Sequence, residues 1–114
     1  MPLQTRNVAD LKESATEAAG LLRLLANENR LRLLCVLAVG ERTVNDLADT
    51  VGLGQSAVSQ HLARLRADGL VAFRRDGTTL HYRIADDDAL MVLGTLRDIY
   101  CSADALAKRA EAVD

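Results

Sequence analysis

Between Ala9 and Leu25 the apolar residues Leu11, Ala15, Ala18, Leu22 and Leu25 recur at helical spacing around a single interior glycine, and they predict a first helix over 9–25. Asn27 can accept a bond from an unsatisfied amide one turn in, so it is expected to cap a second helix running through ENRLRLLCVLA to Gly40. On that helix Leu31, Leu34, Cys35 and Ala38 share one face, and Arg30 and Arg32 point elsewhere. Thr43, with Asp46 three positions on, resembles a capping box and opens a short helix, VNDLADTV, that Gly52 ends.

The connection GLGQ leads straight into a fourth helix, SAVSQHLARLRADG. Two short helices joined by a glycine-containing turn predict a helix-turn-helix over about 43–67. Val58, Leu62 and Leu65 form the buried stripe of the fourth helix, which turns Ser56, Ser59, Gln60 and Ala63 outward. After Gly69 the period drops to two. Val71 and Phe73 face Leu80, Tyr82 and Ile84 across Asp76-Gly77, a hairpin signal that predicts a two-stranded wing over about 70–85. One of Asp86, Asp87 and Asp88 then caps a single long helix over about 87–111, with an apolar stripe of Leu90, Leu93, Leu96, Tyr100 and Ala103. The expected fold is mainly α with a small β-hairpin, a winged helix-turn-helix filling one domain over 1–114 without linkers or repeats.

Composition agrees with one domain: 114 residues, 49% hydrophobic, can build a core, and with Phe73, Tyr82 and Tyr100 the only aromatics that core must be aliphatic. The net charge of -2 hides an asymmetry. Gly54 to Ala85 carries five arginines against two aspartates, a local +3 that leaves -5 for the rest. A basic patch in an acidic chain suits a nucleic-acid surface and discourages indiscriminate adhesion. No apolar run approaches the roughly 20 residues that span a bilayer, and the first residues lack a signal-peptide core, so a cytoplasmic location without membrane contact is expected. In a reducing compartment, Cys35 and Cys101 would pair only conditionally.

The fourth helix has the chemistry of a recognition helix. Gln55, Ser56, Ser59, Gln60 and His61 offer hydrogen-bonding groups to base edges, and Gln60 could engage both edge groups of an adenine. Ala57 and Ala63 permit close approach. Arg64 and Arg66, with Arg74, Arg75 and Arg83 on the wing, would neutralise phosphates or enter the minor groove.

From LLRLLANENRLRLL through TVNDLADTVGLGQSAVSQHLARLRADGLVAFRRDGTTLHYRI, over about 17–106, the chain resembles the ArsR/SmtB family of bacterial winged-helix repressors. The resemblance implies a homodimer, joined through the first and last helices, that binds operator DNA at an inverted repeat and leaves it when an inducer binds. Apolar stripes on those two helices are consistent with a partner that covers them. Metal-sensing members carry a C-x-C pair at the start of the third helix, where this chain has Thr43 and Asn45, and soft-metal coordination there is lost. The other family site, on the last helix, needs histidines. That helix holds Asp98, Asp104 and Glu111 but no histidine, while His61 and His81 belong to the recognition helix and wing, so neither a metal nor a cofactor is expected.

The two cysteines, separated by 66 positions, resemble those of the persulfide-responsive BigR/SqrR group of the family. In that group reactive sulfur bridges the two cysteines of one subunit and the repressor releases DNA. Geometry could select the oxidant: a disulfide needs Cα atoms within about 7 Å, whereas inserted sulfur atoms span a wider gap. Other readings remain open at this level: a general thiol-oxidation sensor, a metal(loid)-responsive repressor, or a constitutive DNA-binding protein whose cysteines only pack. A thiol-disulfide enzyme is disfavoured, because CxxC is absent and neither histidine shares a helix with a cysteine.

Overall fold

A computed structural model describes residues 8–112. Its elements are α1 (Val8–Leu25), α2 (Glu28–Val39), β1 (Arg42–Thr43), α3 (Val44–Val51), α4 (Gln55–Ala67), β2 (Val71–Asp76), β3 (Thr79–Ile84), α5 (Asp87–Cys101) and α6 (Ala103–Ala112). The core is aliphatic. Leu33, Leu34 and Leu37 of α2 pack with Leu47 of α3, the α4 stripe and Leu93 of α5, and among the described residues no polar or charged side chain is buried.

Side-chain caps set the helix starts. Asn27 Oδ1 accepts from Arg30 N at 3.0 Å, Thr43 Oγ1 from Asp46 N at 3.1 Å and Asp86 Oδ1 from Ala89 N at 2.9 Å. Each satisfies one of the amides that a helix N-terminus leaves without an internal partner. Gly52 ends α3 with φ 72, a left-handed conformation that costs a side-chain-bearing residue, and its N–H returns to Ala48 O. The two arginines that point away from the α2 face serve the opposite ends. Arg30 Nε donates to Leu24 O at 2.9 Å at the end of α1, and Arg32 Nη2 to Val51 O at 2.6 Å at the end of α3. Cations at orphaned terminal carbonyls also oppose the negative end of each helix dipole.

Several expectations need correction. Full burial on α2 falls on Leu33, Leu34 and Leu37, with Leu31, Cys35 and Ala38 on the half-buried flank. The sheet has three strands, not two, in the order β1-β3-β2, because Arg42 pairs with Tyr82 and Thr43 with His81. Two residues are too short to show alternation, so β1 is invisible to a pattern argument. Within the hairpin Asp76 pairs with Thr79, which moves the loop to Gly77-Thr78. Of those two only Gly77 has positive φ, at 64, as in hairpins with glycine at the first central position.

The long last helix is divided at Ser102, whose extended backbone (φ -67, ψ 160) stops α5. Its carbonyl accepts from Leu106 N at 3.0 Å, and Asp104 sits in the first turn of α6, where a carboxylate favours the positive helix end. The apolar stripe continues across the break and masked it. Along α5 the core takes Ala89 and Leu93, while Leu90, Met91, Ile99 and Tyr100 are exposed, as are Leu11 and Leu22 of α1. The Cα radius of gyration, 16.6 Å, exceeds the roughly 13 Å usual for a globular chain of this length. These helices therefore project apolar faces that one chain does not cover. No helix among the described residues is long and apolar enough to cross a membrane.

Leu62 is fully buried at the centre of the α4 stripe. Leu62→Ala is expected to destabilise the fold by about 2–5 kcal/mol, from lost transfer energy and the cavity left behind, as read by denaturant unfolding of the reduced protein.

Candidate functional site: a winged helix-turn-helix and a cysteine pair

Helix α4 stands on Val58, Leu62 and Leu65, each fully buried, and this fixes its outward face. Gln55, Ser56, Ser59, Gln60, Ala63 and Arg64 are exposed, whereas His61 is half-buried on the flank. At the start of the helix Gln55 Nε2 donates to Asn45 Oδ1, which ties α4 to the first turn of α3. Gln55 and Ser59 also line a polar cleft of about 460 Å³ with Asn45, Thr78 of the hairpin loop and Thr79 at the start of β3. Arg64 lies at the other end, in a cleft with Arg23 and Arg30 of the α1–α2 junction.

The wing arginines do not form one cluster. Cross-strand pairing sets Arg74 opposite His81 and Ala72 opposite Arg83, which puts Arg74, His81 and Arg83 on one face of the sheet. Arg75 pairs with Leu80, so it stands near the hairpin tip on the other face, the one carrying Phe73 and Tyr82. On the first face Glu41, just before β1, bonds Arg74 through Nε at 2.9 Å and Nη2 at 2.8 Å. The Arg74 hydrogen bond holds the Glu41 carboxyl below its ordinary range, helped by the charges of Arg74, His81 and Arg83. Arg74 is thus partly neutralised before any ligand arrives. Arg66 is also occupied: its guanidinium lies 4.3 Å from the centroid of the Phe73 ring, a cation–π contact joining the end of α4 to β2. Neither partnership was legible in sequence, since Glu41 and Arg74 are 33 positions apart and meet only through the strand β1 adds.

The two thiols sit on facing helices, both as free cysteines. Cys35 is half-buried on the α2 flank and Cys101, the last residue of α5, is exposed. Burial pushes the Cys35 thiol up, the neighbouring Cys101 adds to the rise, and Arg97 opposes it. The Cys101 contribution places the two residues in one electrostatic neighbourhood of the same chain. Arg97 also donates from Nη2 to the main-chain carbonyl of Cys35 at 3.2 Å, so the α5 turn that precedes Cys101 rests on the α2 residue that carries the other thiol. Sequence reading overlooked Arg97. Its only signal was a position four residues before Cys101, on the same helix face.

Among the described residues no group of three or more His, Cys, Asp or Glu could hold a metal ion. Asp98 and Asp104 fall on different helices, α5 and α6, and the Glu111 side chain lies outside the described ones.

Residues 27–72 match the family described as bacterial regulatory protein, arsR family. The chain is 50% identical over 88 residues to the nodulation protein NolR of Rhizobium meliloti, covering 77% of this chain and 72% of that one. It is similar to the crystal structure of the transcriptional repressor BigR from Xylella fastidiosa, with TM-score 0.77, 36% identity and coverage of 83% of this chain and 94% of that one. It is also similar to the solution structure of the homodimeric winged helix-turn-helix domain Mb0332 from Mycobacterium bovis, with TM-score 0.65, 31% identity and coverage of 90% and 97%.

Since the thiolate is the reactive form, burial and the raised pKa of its thiol both hold Cys35 back, whereas Cys101 is exposed. Iodoacetamide at pH 7 is expected to label Cys101 first. The gap should narrow as rising pH ionises Cys35, and peptide mass spectrometry of timed samples reads both rates.

Proposed function

The chain belongs to the arsR family of bacterial regulatory proteins, and from that premise we propose that it is a homodimeric repressor released from operator DNA when Cys35 and Cys101 react with persulfide. That it is a DNA-binding transcriptional regulator follows from the family. The exposed apolar faces of α1 and α5 support a dimer built through the first and last helices, and the similar Mb0332 domain is homodimeric. In our reading Gln55, Ser56, Ser59 and Gln60 contact base edges in the major groove, with His61 at the flank, and Arg64, Arg74, Arg75 and Arg83 contact the DNA backbone of an inverted repeat.

One observation carries the sensing reading: Arg97 Nη2 donates to the Cys35 carbonyl across the α2–α5 contact, which sets the α5 turn before Cys101 against the α2 segment that carries Cys35. The chemistry needs no further residue type. A cysteine thiolate attacks the outer sulfur of an organic persulfide, RSSH, the S–S bond breaks, and Cys–S–SH forms as RS⁻ departs. When both cysteines have reacted, deprotonated Cys35–S–S⁻ attacks the Cys101 Sγ, HS⁻ leaves, and a three-sulfur bridge joins α2 to α5. The persulfide is the oxidant and is reduced to thiol and hydrosulfide. A bridge at the end of α5 would strain the dimer helix and so the spacing of two recognition helices, which must meet half-sites about 34 Å apart. A change of about 1.4 kcal/mol in DNA binding is already tenfold in affinity.

Cys35→Ser and Cys101→Ser are each expected to bind operator DNA like the parent and to stay bound in organic persulfide, as read by gel shift. Release of either variant at the parental persulfide concentration would refute the paired-cysteine mechanism. Mass spectrometry of the treated parent should show an intrasubunit crosslink carrying one sulfur more than a disulfide, whereas equal release by hydrogen peroxide through a plain disulfide would favour a general thiol-oxidation sensor.

For the DNA surface, Arg83→Ala is expected to lower the slope of log affinity against log salt by about 1, the share of one phosphate contact. Arg66→Ala, which removes a stacked side chain, should leave that slope unchanged.

A further inference from the structure

We propose that Arg97 is a positioning residue for the cysteine pair: it ties the last turns of α5 to the Cys35 segment of α2 and supplies a positive charge within reach of the reacting sulfur. This inference rests on the sensing reading above and deepens it. Its geometric base is the hydrogen bond from Arg97 Nη2 to Cys35 O, which spans 62 positions and joins the two helices that carry the two thiols. Four residues on, and therefore one turn along the same face, stands Cys101. One side chain thus touches the residue of one thiol and neighbours the other.

Core packing does not account for that placement. Arg97 is exposed, and the carbonyl it bonds lies in the last turns of α2, where a cation meets the negative end of the helix dipole. The benefit falls on the chemistry. Each cysteine must react as an anion, and charge repulsion from Cys101 adds to burial in disfavouring the Cys35 thiolate. A guanidinium that opposes both this repulsion and the burial of Cys35 favours the Cys35 anion that must attack. Because the same group holds α5 against α2, it also keeps Cys101 within range of that attack.

The test compares Arg97→Gln, which keeps a hydrogen-bond donor without charge, with Arg97→Lys, which keeps the charge. Two rates are measured at pH 7: alkylation of Cys35 by iodoacetamide in the Cys101→Ser background, and bridge formation by the otherwise intact reduced dimer with cysteine persulfide, each by mass spectrometry. An exposed charge changes thiolate population by no more than about fivefold, and the accompanying rise in nucleophilicity trims the effect on rate to about twofold. Arg97→Gln is therefore expected to slow Cys35 alkylation about twofold and to slow bridging at least as much, while Arg97→Lys stays near the parent in alkylation. Operator affinity of the reduced variants should equal that of the parent, which separates this effect from general damage to the fold. Parental rates for Arg97→Gln, or an alkylation rate for Arg97→Lys as slow as that of Arg97→Gln, would overturn the positioning role alone. A parent protein that forms no Cys35–Cys101 bridge would overturn the sensing reading and this role with it.

Discussion

Leu33, Leu34 and Leu37 of α2 have almost no exposed surface, and their burial is the constraint on which the other elements depend. Helix α2 meets α1, α3, β3 and α5, so the hydrophobic driving force that seals its leucines also brings together elements distant in the chain. Because the core is mostly aliphatic and among the described residues no charged side chain is buried, it imposes few directional bonds. Directionality comes instead from the rim: the caps Asn27, Thr43 and Asp86 start helices, and Arg30 and Arg32 reach from α2 to finish two others.

The same burial decides the character of Cys35. It lies next to the fully buried Leu34 yet on the half-exposed flank, so its thiol is only partly sheltered. One position round the helix would have sealed it into the core as inert packing. Helix α5 brings the complementary parts, Arg97 and Cys101, and ends there because Ser102 leaves the helical conformation. The two thiols are thereby brought to the junction of two helices, one of which also presents an exposed apolar face.

The side formed by α4 and the wing is organised by compensation. Five arginines in one segment would give a strongly basic surface, but Arg66 is stacked on Phe73 and Arg74 is held by Glu41, while Arg75 and Arg83 project from opposite faces of the sheet. The field is accordingly less uniform than a charge count suggests. The outward face of α4 is by contrast mostly neutral and polar, and the Asn45–Gln55 bond ties its start to α3.

The sequence by itself determined the helix-turn-helix, its stripe of Val58, Leu62 and Leu65, the caps and the hairpin, because periodicity and capping act within one or two turns and are written in neighbouring residues. It also named the two cysteines by their rarity. Tertiary structure alone decided which face of α2 is buried, since Leu31, Leu33, Leu34 and Leu37 satisfy more than one stripe and only the positions of α3 and α5 choose among them. It decided too that β1 exists, that Glu41 meets Arg74 and that Arg97 reaches Cys35. Those contacts join residues 33 to 62 positions apart, and local spacing carries no record of which distant charges a folded chain will bring within a hydrogen bond of each other.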